Sequence, residues 1–350
     1  KRADFQKTID GKETDLFILS NDNGAEMAVT NYGGAIITVM VPDKNGELAN
    51  VVQSHDTIDG VINSPEPFLS TLIGRYGNRI AKGSFKLNGT AYPLAINNGP
   101  NSLHGGPTGY HARVWDAEQT SKQSLTLHYL SPDGEEGFPG NLDITVIYTF
   151  TNQNELILTY SAITDKQTII NLTHHAFFSL SGVANPTATV DNNIVTINAD
   201  FYTPMDEVSI PTGEIAKVEG TPMDFRTPHT VGSRINEPFQ QLIYGAGYDH
   251  CYVLNKEEAG SLTFAAKCVE PESGRSLEVY TTEPGVQVYT DNWATGYEGY
   301  HGATFPARSA ICFEAQHFPD SPNKGHFPSV VLNPGDTYHQ VTVYKFGVEK

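Results

Sequence analysis

The chain is poor in basic residues, cysteine, methionine and tryptophan, and no long apolar run occurs in it. Lysine and arginine number 22 against 40 aspartates and glutamates, a formal balance of −18, and the basic residues never form a run. Nucleic acids and anionic membrane surfaces are recognised by clustered Lys and Arg, so neither is a partner. No stretch approaches the ~18 consecutive apolar residues of a membrane-spanning helix. Cys251, Cys268 and Cys312 are an odd set without CxxC spacing. They read as three thiols in or near strands, not as a disulfide framework or a zinc site. Long segments of 3.6-residue period are missing too; 233–243, interrupted by Pro238, is at most a short helix or turn.

What the chain does have is alternation. Period-2 or β-branched runs recur at 26–33, 35–41, 124–130, 142–151, 155–164, 193–200, 276–282, 286–290, 310–316 and 339–346. Turn signals separate them, among them Asn45-Gly46, Asn88-Gly89, Asp133-Gly134, Pro284-Gly285 and Pro334-Gly335. No composition shift, charge run, linker or internal repeat divides the 350 residues. The expectation is an all-β fold, one large antiparallel β-sandwich as a single domain over 1–350, with a barrel as the alternative. The first residue is Lys1, with neither an initiator Met nor an apolar signal segment. That suggests an exported, periplasmic chain with its presequence removed, a trimmed cytoplasmic chain being the alternative. Asn88-Gly-Thr and Asn171-Leu-Thr match the glycosylation acceptor pattern.

Several stretches carry chemistry-bearing residues. In NLTHHAFFSL (171–180) an extended backbone sends successive side chains to opposite faces. Asn171, Thr173, His175 and Phe177 then share one face, and Leu172, His174, Ala176 and Phe178 the other. Two histidines on opposite faces cannot chelate one metal ion, and no HExxH spacing occurs, so no metal is expected. In ICFEAQHFPDSPN (311–323), Glu314 lies among apolar neighbours whose burial would raise its pKa and suit it to accept a proton; a solvent-facing Glu on an edge strand is equally consistent with the spacing. NSLHGG places His104 before two glycines, which either admit a ligand close to the backbone or simply make a turn. Arg75 and Arg79 in GRYGNRIAKGSF suit hydroxyls or carboxylates, although a surface ion pair is their ordinary fate. Asp249 and Gln287 open and occupy two further strands. Planar polar groups beside Tyr76, Phe177, Phe178, Tyr289 and Trp293 form the mixture that polyhydroxylated ligands need.

Taken together, GRYGNRIAKGSFKLNG, NSLHGG, NLTHHAFFSL, YDHCYVL, TTEPGVQVYT and FEAQHFPDSPN strongly resemble the aldose 1-epimerase (galactose mutarotase) family. The six segments follow the family's order over 74–323, and TNYGGAI (30–36) and MVPDKNG (40–46) extend the likeness. The resemblance implies a galactose mutarotase-like supersandwich and a cofactor-free enzyme that interconverts the anomers of free aldohexoses such as galactose and glucose. It places the catalytic base on Glu314 and the catalytic acid on His175. Substrate-holding residues fall on Arg79, Asn78, His104, Asp249 and Gln287. The implied partner is a monosaccharide, and the implied assembly a monomer or homodimer. Departures from the commoner family wording NLTNHSYFNL are His174 for Asn, Ala176 for Ser, Phe177 for Tyr and Ser179 for Asn. Attraction between a protonated His175 and an ionised Glu314 is expected to keep both charged near neutral pH. The competing readings are a lectin-like β-sandwich without catalysis, a hexose-phosphate mutarotase, and a hydrolase built on Glu314 and Asp249.

Overall fold

The computed structural model describes residues 1–350. Its largest sheet has nine strands, all paired antiparallel: Asp116–Ser121, Ser124–Ser131, Leu142–Phe150, Glu155–Thr164, Tyr338–Val348, Arg275–Thr281, Thr263–Val269, Ile194–Ile197 and His229–Thr230 in spatial order. The alternation read from the sequence is visible in the burial. Leu142–Phe150 switches between buried and half-buried residues at every step, and its neighbour Glu155–Thr164 does so over most of its length. One face of each strand meets the core and the other meets water, so a one-residue slip would invert every side chain.

Two smaller antiparallel sheets form the opposing layer. One comprises Leu16–Ser20, Glu26–Thr30, Ile36–Pro42 and Leu48–Asn50. The other runs in the order Ala216–Lys217, Phe201–Thr203, Asp249–Val253, Gly285–Tyr289 and Cys312–Gln316. A single core of 56 buried residues lies between the layers and draws on all three sheets; Val146 and Leu158, Met27 and Val39, and Val286 and Phe313 are examples. Two buried tyrosines tie the layers polar group to polar group. The Tyr344 hydroxyl donates to the Phe313 carbonyl at 2.6 Å, and that of Tyr148 to the Gly34 carbonyl at 2.7 Å. The architecture is thus the expected all-β sandwich, and the barrel alternative falls away.

Helix is confined to short turns. The only α-helical segments are Ile58–Ile62, capped by Thr57, and Gln240–Gly245. The latter begins after Pro238, whose ring disfavours helical backbone in the residue before it, so helix does not fill the whole of 233–243. All three cysteines are buried free thiols, each within a strand. Asn171 is fully buried and bonded through both side-chain atoms, so it offers no accessible acceptor for glycosylation in the folded chain.

Segment 171–180 corrects one expectation. It is not a continuous strand: only Thr173–His174 form a ladder, with Leu72–Ile73, and Asn171 and Phe178 make isolated bridges. Alternation survives nonetheless in what the side chains meet. Leu172, Ala176 and Phe178 enter the main core, whereas Phe177 joins a separate cluster with Leu69, Tyr289 and Phe305.

Candidate active site

The five-stranded sheet supplies the floor of a cavity of about 300 Å³. Gln287 pairs directly with Glu314 across two strands, and Cys251 pairs with Gln287 on the other side. Paired residues point to the same face, and Asp249 lies two residues from Cys251, so Glu314, Gln287 and Asp249 line up on one surface. The Gln287 amide donates to Asp249 Oδ1 at 2.8 Å, which orients both groups. The opposite face of these strands, with Phe313, Val286, Val288 and Tyr252, is in the main core. Glu314 therefore stands on a rigid, buried support, although Cys312–Gln316 is the edge strand of its sheet. Reciprocal backbone bonds of 2.9 Å between Ile311 and Phe178 cover the start of that edge.

The facing wall comes from two loops and from segment 171–180. His175 is fixed through its backbone, its N–H donating to the Thr71 carbonyl at 2.8 Å and its carbonyl accepting from Ser70 at 3.0 Å. Its Nε2 lies 3.4 Å from Glu314 Oε1. His104 approaches the same oxygen, Nε2 to Oε1 at 3.8 Å. Asn78 and His104 hold one another: the Asn78 N–H donates to His104 Nδ1 at 2.9 Å, and the His104 N–H donates to the Asn78 carbonyl at 3.0 Å. Both residues have positive φ, 68° and 51°. The glycine after His104 is required by packing, since a Cβ on Gly105 would sit 2.0 Å from the Gly74 carbonyl oxygen. Of the two readings of NSLHGG, the tight turn is the one realised; backbone approaches backbone there. Arg79 is held by its Nε bond of 2.9 Å to Asn98 Oδ1 and reaches the cavity.

The Asn78–His104 bond settles what His104 can do. A neutral imidazole that accepts at Nδ1 carries its proton on Nε2, so His104 presents a donor to the cavity. Burial and the neighbouring His175 push its pKa well below 6.5 and keep it neutral. His104, His175 and Glu314 have ligand atoms within 4.8 Å of one another, a set that could hold a metal ion by distance alone. The donor chemistry does not fit: a metal needs the Nε2 lone pair, and that nitrogen of His104 bears hydrogen.

Burial dominates the other ionisations. Desolvation lowers His175 to about 3. It raises Glu314 well above the usual carboxylate range, Asp249 adding to the rise and Arg79 opposing it. Asp249 is raised by its own burial, again against Arg79. The expectation that mutual attraction keeps His175 and Glu314 charged is reversed for the free protein. Both groups are almost fully shielded from water, and the cost of desolvating two charges exceeds their attraction across 3.4 Å. Glu314 Oε1 and His175 Nδ1 have no hydrogen-bond partner in the protein.

The cavity gathers every residue singled out for a site role: Asn78, Arg79, His104, His175, Asp249, Gln287 and Glu314. Arg75 takes another path. It is buried among neutral acceptors, bonding the Pro139 carbonyl, Thr168 Oγ1, Ser131 Oγ and the Tyr110 hydroxyl. His174 turns into the core, its Nε2 3.3 Å from the Gly34 carbonyl oxygen and its ring edge-on to Tyr148. Glu66, Phe68, Asn97 and Asn98 also line the cavity; they lie on the Gly-, Pro- and aromatic-rich loops 60–70 and 97–113, where binding groups are expected, although no period or motif singles them out individually. Trp293 stands at the rim, 65% exposed. A larger surface groove of about 690 Å³ lies beside the N-terminal hairpin, but most of its charges are already paired, Lys7 with Asp59, Lys12 with Asp116 and Asp15 with Arg2.

Comparison with known proteins agrees with this geometry. The aldose 1-epimerase family model matches residues 15–345. Galactose mutarotase of Bos taurus is 42% identical over 323 residues, covering 91% of this chain and 90% of its own. Aldose 1-epimerase of Escherichia coli strain K12 is 32% identical over 343 residues, 97% of each chain. Among solved structures, an aldose epimerase homologue from C. elegans superposes with a TM-score of 0.88 at 28% identity, covering 96% of this chain and 100% of the other. Galactose 1-epimerase from Lactobacillus acidophilus gives 0.85 at 27% identity, covering 98% and 97%. With a supersandwich fold, a buried His–Glu cavity and family likeness along almost its whole length, the chain belongs to the aldose 1-epimerase family.

Proposed function

We propose that the chain, acting as one domain, interconverts the α and β anomers of free aldohexoses such as galactose and glucose. One observation carries the reading. At the inner end of a sugar-sized cavity a buried, unpartnered carboxylate oxygen, Glu314 Oε1, is faced by His175 Nε2 at 3.4 Å. A hydroxyl and an ether oxygen on one carbon can bridge such a pair. Glu314 takes the proton of the anomeric hydroxyl as His175 gives one to the ring oxygen, and the C1–O5 bond breaks to leave an aldehyde. Rotation about C1–C2 presents the other face of the carbonyl. The reverse transfers then close the ring as the opposite anomer. General acid–base catalysis of this kind contributes about 10²–10⁴-fold when both groups are in hydrogen-bond reach.

The remaining residues bind and orient. His104, fixed as a neutral Nε2–H donor, supports oxygen near the reacting carbon, and Asp249 with Gln287 receives and fixes hydroxyls. Arg79 is the one cation on a wall that also carries Glu66, Asp249 and Glu314. With a single cation to meet it, a phosphate group would find little to compensate its charge, and this favours a neutral sugar over a phosphorylated one. Polarimetry of freshly dissolved α-D-glucose and α-D-galactose tests the activity: rates no faster than buffer would reduce the protein to a sugar-binding module. Glu314→Gln is expected to lose about 10²–10⁴-fold in kcat while sugar binding persists. Near-normal turnover in that variant would remove Glu314 from the role of base.

A further inference from the structure

A catalytic histidine is usually aimed by a carboxylate or carbonyl that accepts from its second ring nitrogen. His175 has no side-chain or neighbouring-residue partner of that kind: Nδ1 is buried and makes no hydrogen bond of good geometry, its own backbone carbonyl being the acceptor nearby. Aromatic rings surround it instead. Phe177 stacks on the His175 face, with centroids 4.7 Å apart and planes inclined by 14°. Tyr289 and His104 meet the imidazole edge-on, at 6.2 Å and 5.1 Å. Phe177 is wholly buried, and Tyr289 stands edge-on to it at 6.3 Å. Leu69, Val183, Phe305, Ala310 and Cys312 complete the cluster that fixes the stacked ring.

This arrangement has an electrostatic consequence. The face of a benzene ring carries the negative part of its quadrupole, so a cation over that face is attracted, and more strongly where water is excluded. His175 must carry a positive charge in the cyclic-sugar complex to protonate the ring oxygen, and it does so where burial opposes that charge. We propose that Phe177 is a positioning residue for His175: its stacked π-face sets the plane of the imidazole and supports it as a cation. The inference rests on the reading of His175 as proton donor. Phe177 touches no substrate atom in this role and acts only through the ring stacked upon it.

Graded fluorination at position 177 separates this role from simple packing, because fluorine withdraws electron density from the ring face with little change of shape. The full chain is prepared with phenylalanine, 4-fluoro-, 3,4-difluoro- and 3,4,5-trifluorophenylalanine at 177, folding is checked by circular dichroism, and galactose anomerisation is followed by polarimetry. The expected result is a stepwise fall in kcat totalling about five- to thirtyfold, with KM nearly constant. Phe177→Tyr, which keeps the π-face, is expected to keep kcat. A flat kcat across the folded series overturns the proposal, as does a rise in KM that accounts for the whole loss. Phe177→Leu with unchanged kcat overturns it as well. A wild-type protein inactive on both glucose and galactose would instead overturn the reading of the site, and this inference with it.

Discussion

His174 offers a direct test of how strongly this interior resists charge. It is 1% exposed, and its Nε2–H donates to the Gly34 carbonyl. Its Nδ1 has no partner, so a second proton would place an unsatisfied cation in the core. Burial accordingly lowers its pKa from 6.5 to about 4. The sign follows by linkage. The unfolded chain takes up this proton first as pH falls, so the stability tied to His174 is complete above 6.5 and is lost as pH drops through 6.5 towards 4. That gap amounts to about 2 kcal/mol at a pH of about 5 and about 3 kcal/mol below both values. His174→Asn can still donate to the Gly34 carbonyl but has nothing to titrate. Removing the ring from its place beside Tyr148 costs some stability at every pH, so the informative quantity is the difference between two pH values. Urea unfolding of both proteins at about pH 7.5 and about pH 5 should show the wild type losing about 2 kcal/mol more than the variant. Equal losses would refute the burial argument. Turnover should stay near wild type, because His174 faces away from the cavity that His175 enters.

Gly105→Ala should destabilise the chain by more than the about 1–3 kcal/mol of a strained backbone alone, since the new Cβ would add a contact of 2.0 Å with the Gly74 carbonyl oxygen to a φ of +83°. Urea melts measure this, and the same variant should raise KM by displacing His104; an unperturbed melt would show that the loop yields. Dialysis against EDTA should leave the rate unchanged, and added zinc should not increase it; restoration of a lost rate by zinc would show that His104 can surrender its Nε2 proton.

The fold was largely legible because antiparallel strands with one dry face leave a period of two in the sequence, as Leu142–Phe150 and Glu155–Thr164 show. The same logic separated His174 from His175, even though segment 171–180 pairs only in places. Site residues were legible where they belong to strands or to a motif, as Glu314 and Gln287 do. Glu66, Asn97 and Asn98 were not, because a loop residue is brought to a cavity by the path of the whole chain and carries no period of its own. Arg75 misled for a related reason. A charged residue ordinarily reads as surface, yet here a ring of carbonyls and hydroxyls, remote in sequence, takes the guanidinium into the interior. Protonation was the least legible property of all, since it depends on burial more than on which partner stands nearby.

That last point bears on the chemistry. The charged pair, protonated His175 with ionised Glu314, and the neutral pair hold the same single proton, so pH does not choose between them. Burial chooses, and it favours the neutral pair. In the proposed reaction, ring opening converts the first arrangement into the second: Glu314 gains the anomeric proton as His175 gives up its own. A cavity that penalises separated charge therefore disfavours the cyclic-sugar state of the pair and favours the state in which the sugar stands open. Arg79 opposes the rise of Glu314 and so, in the proposed reaction, would keep the reverse step accessible. The activity of the pair should then depend on its total proton count alone. It is lost in acid when a second proton enters and in base when the only one leaves. With His175 titrating at about 3 and Glu314 well above its usual range in the free protein, kcat/KM should show no histidine-like step near 6.5. Stopped-flow polarimetry over the stable pH range measures it. A kcat/KM that changed steeply around pH 6.5, as for a free histidine, would mean that His175 titrates independently of Glu314 and that the pair does not share its proton.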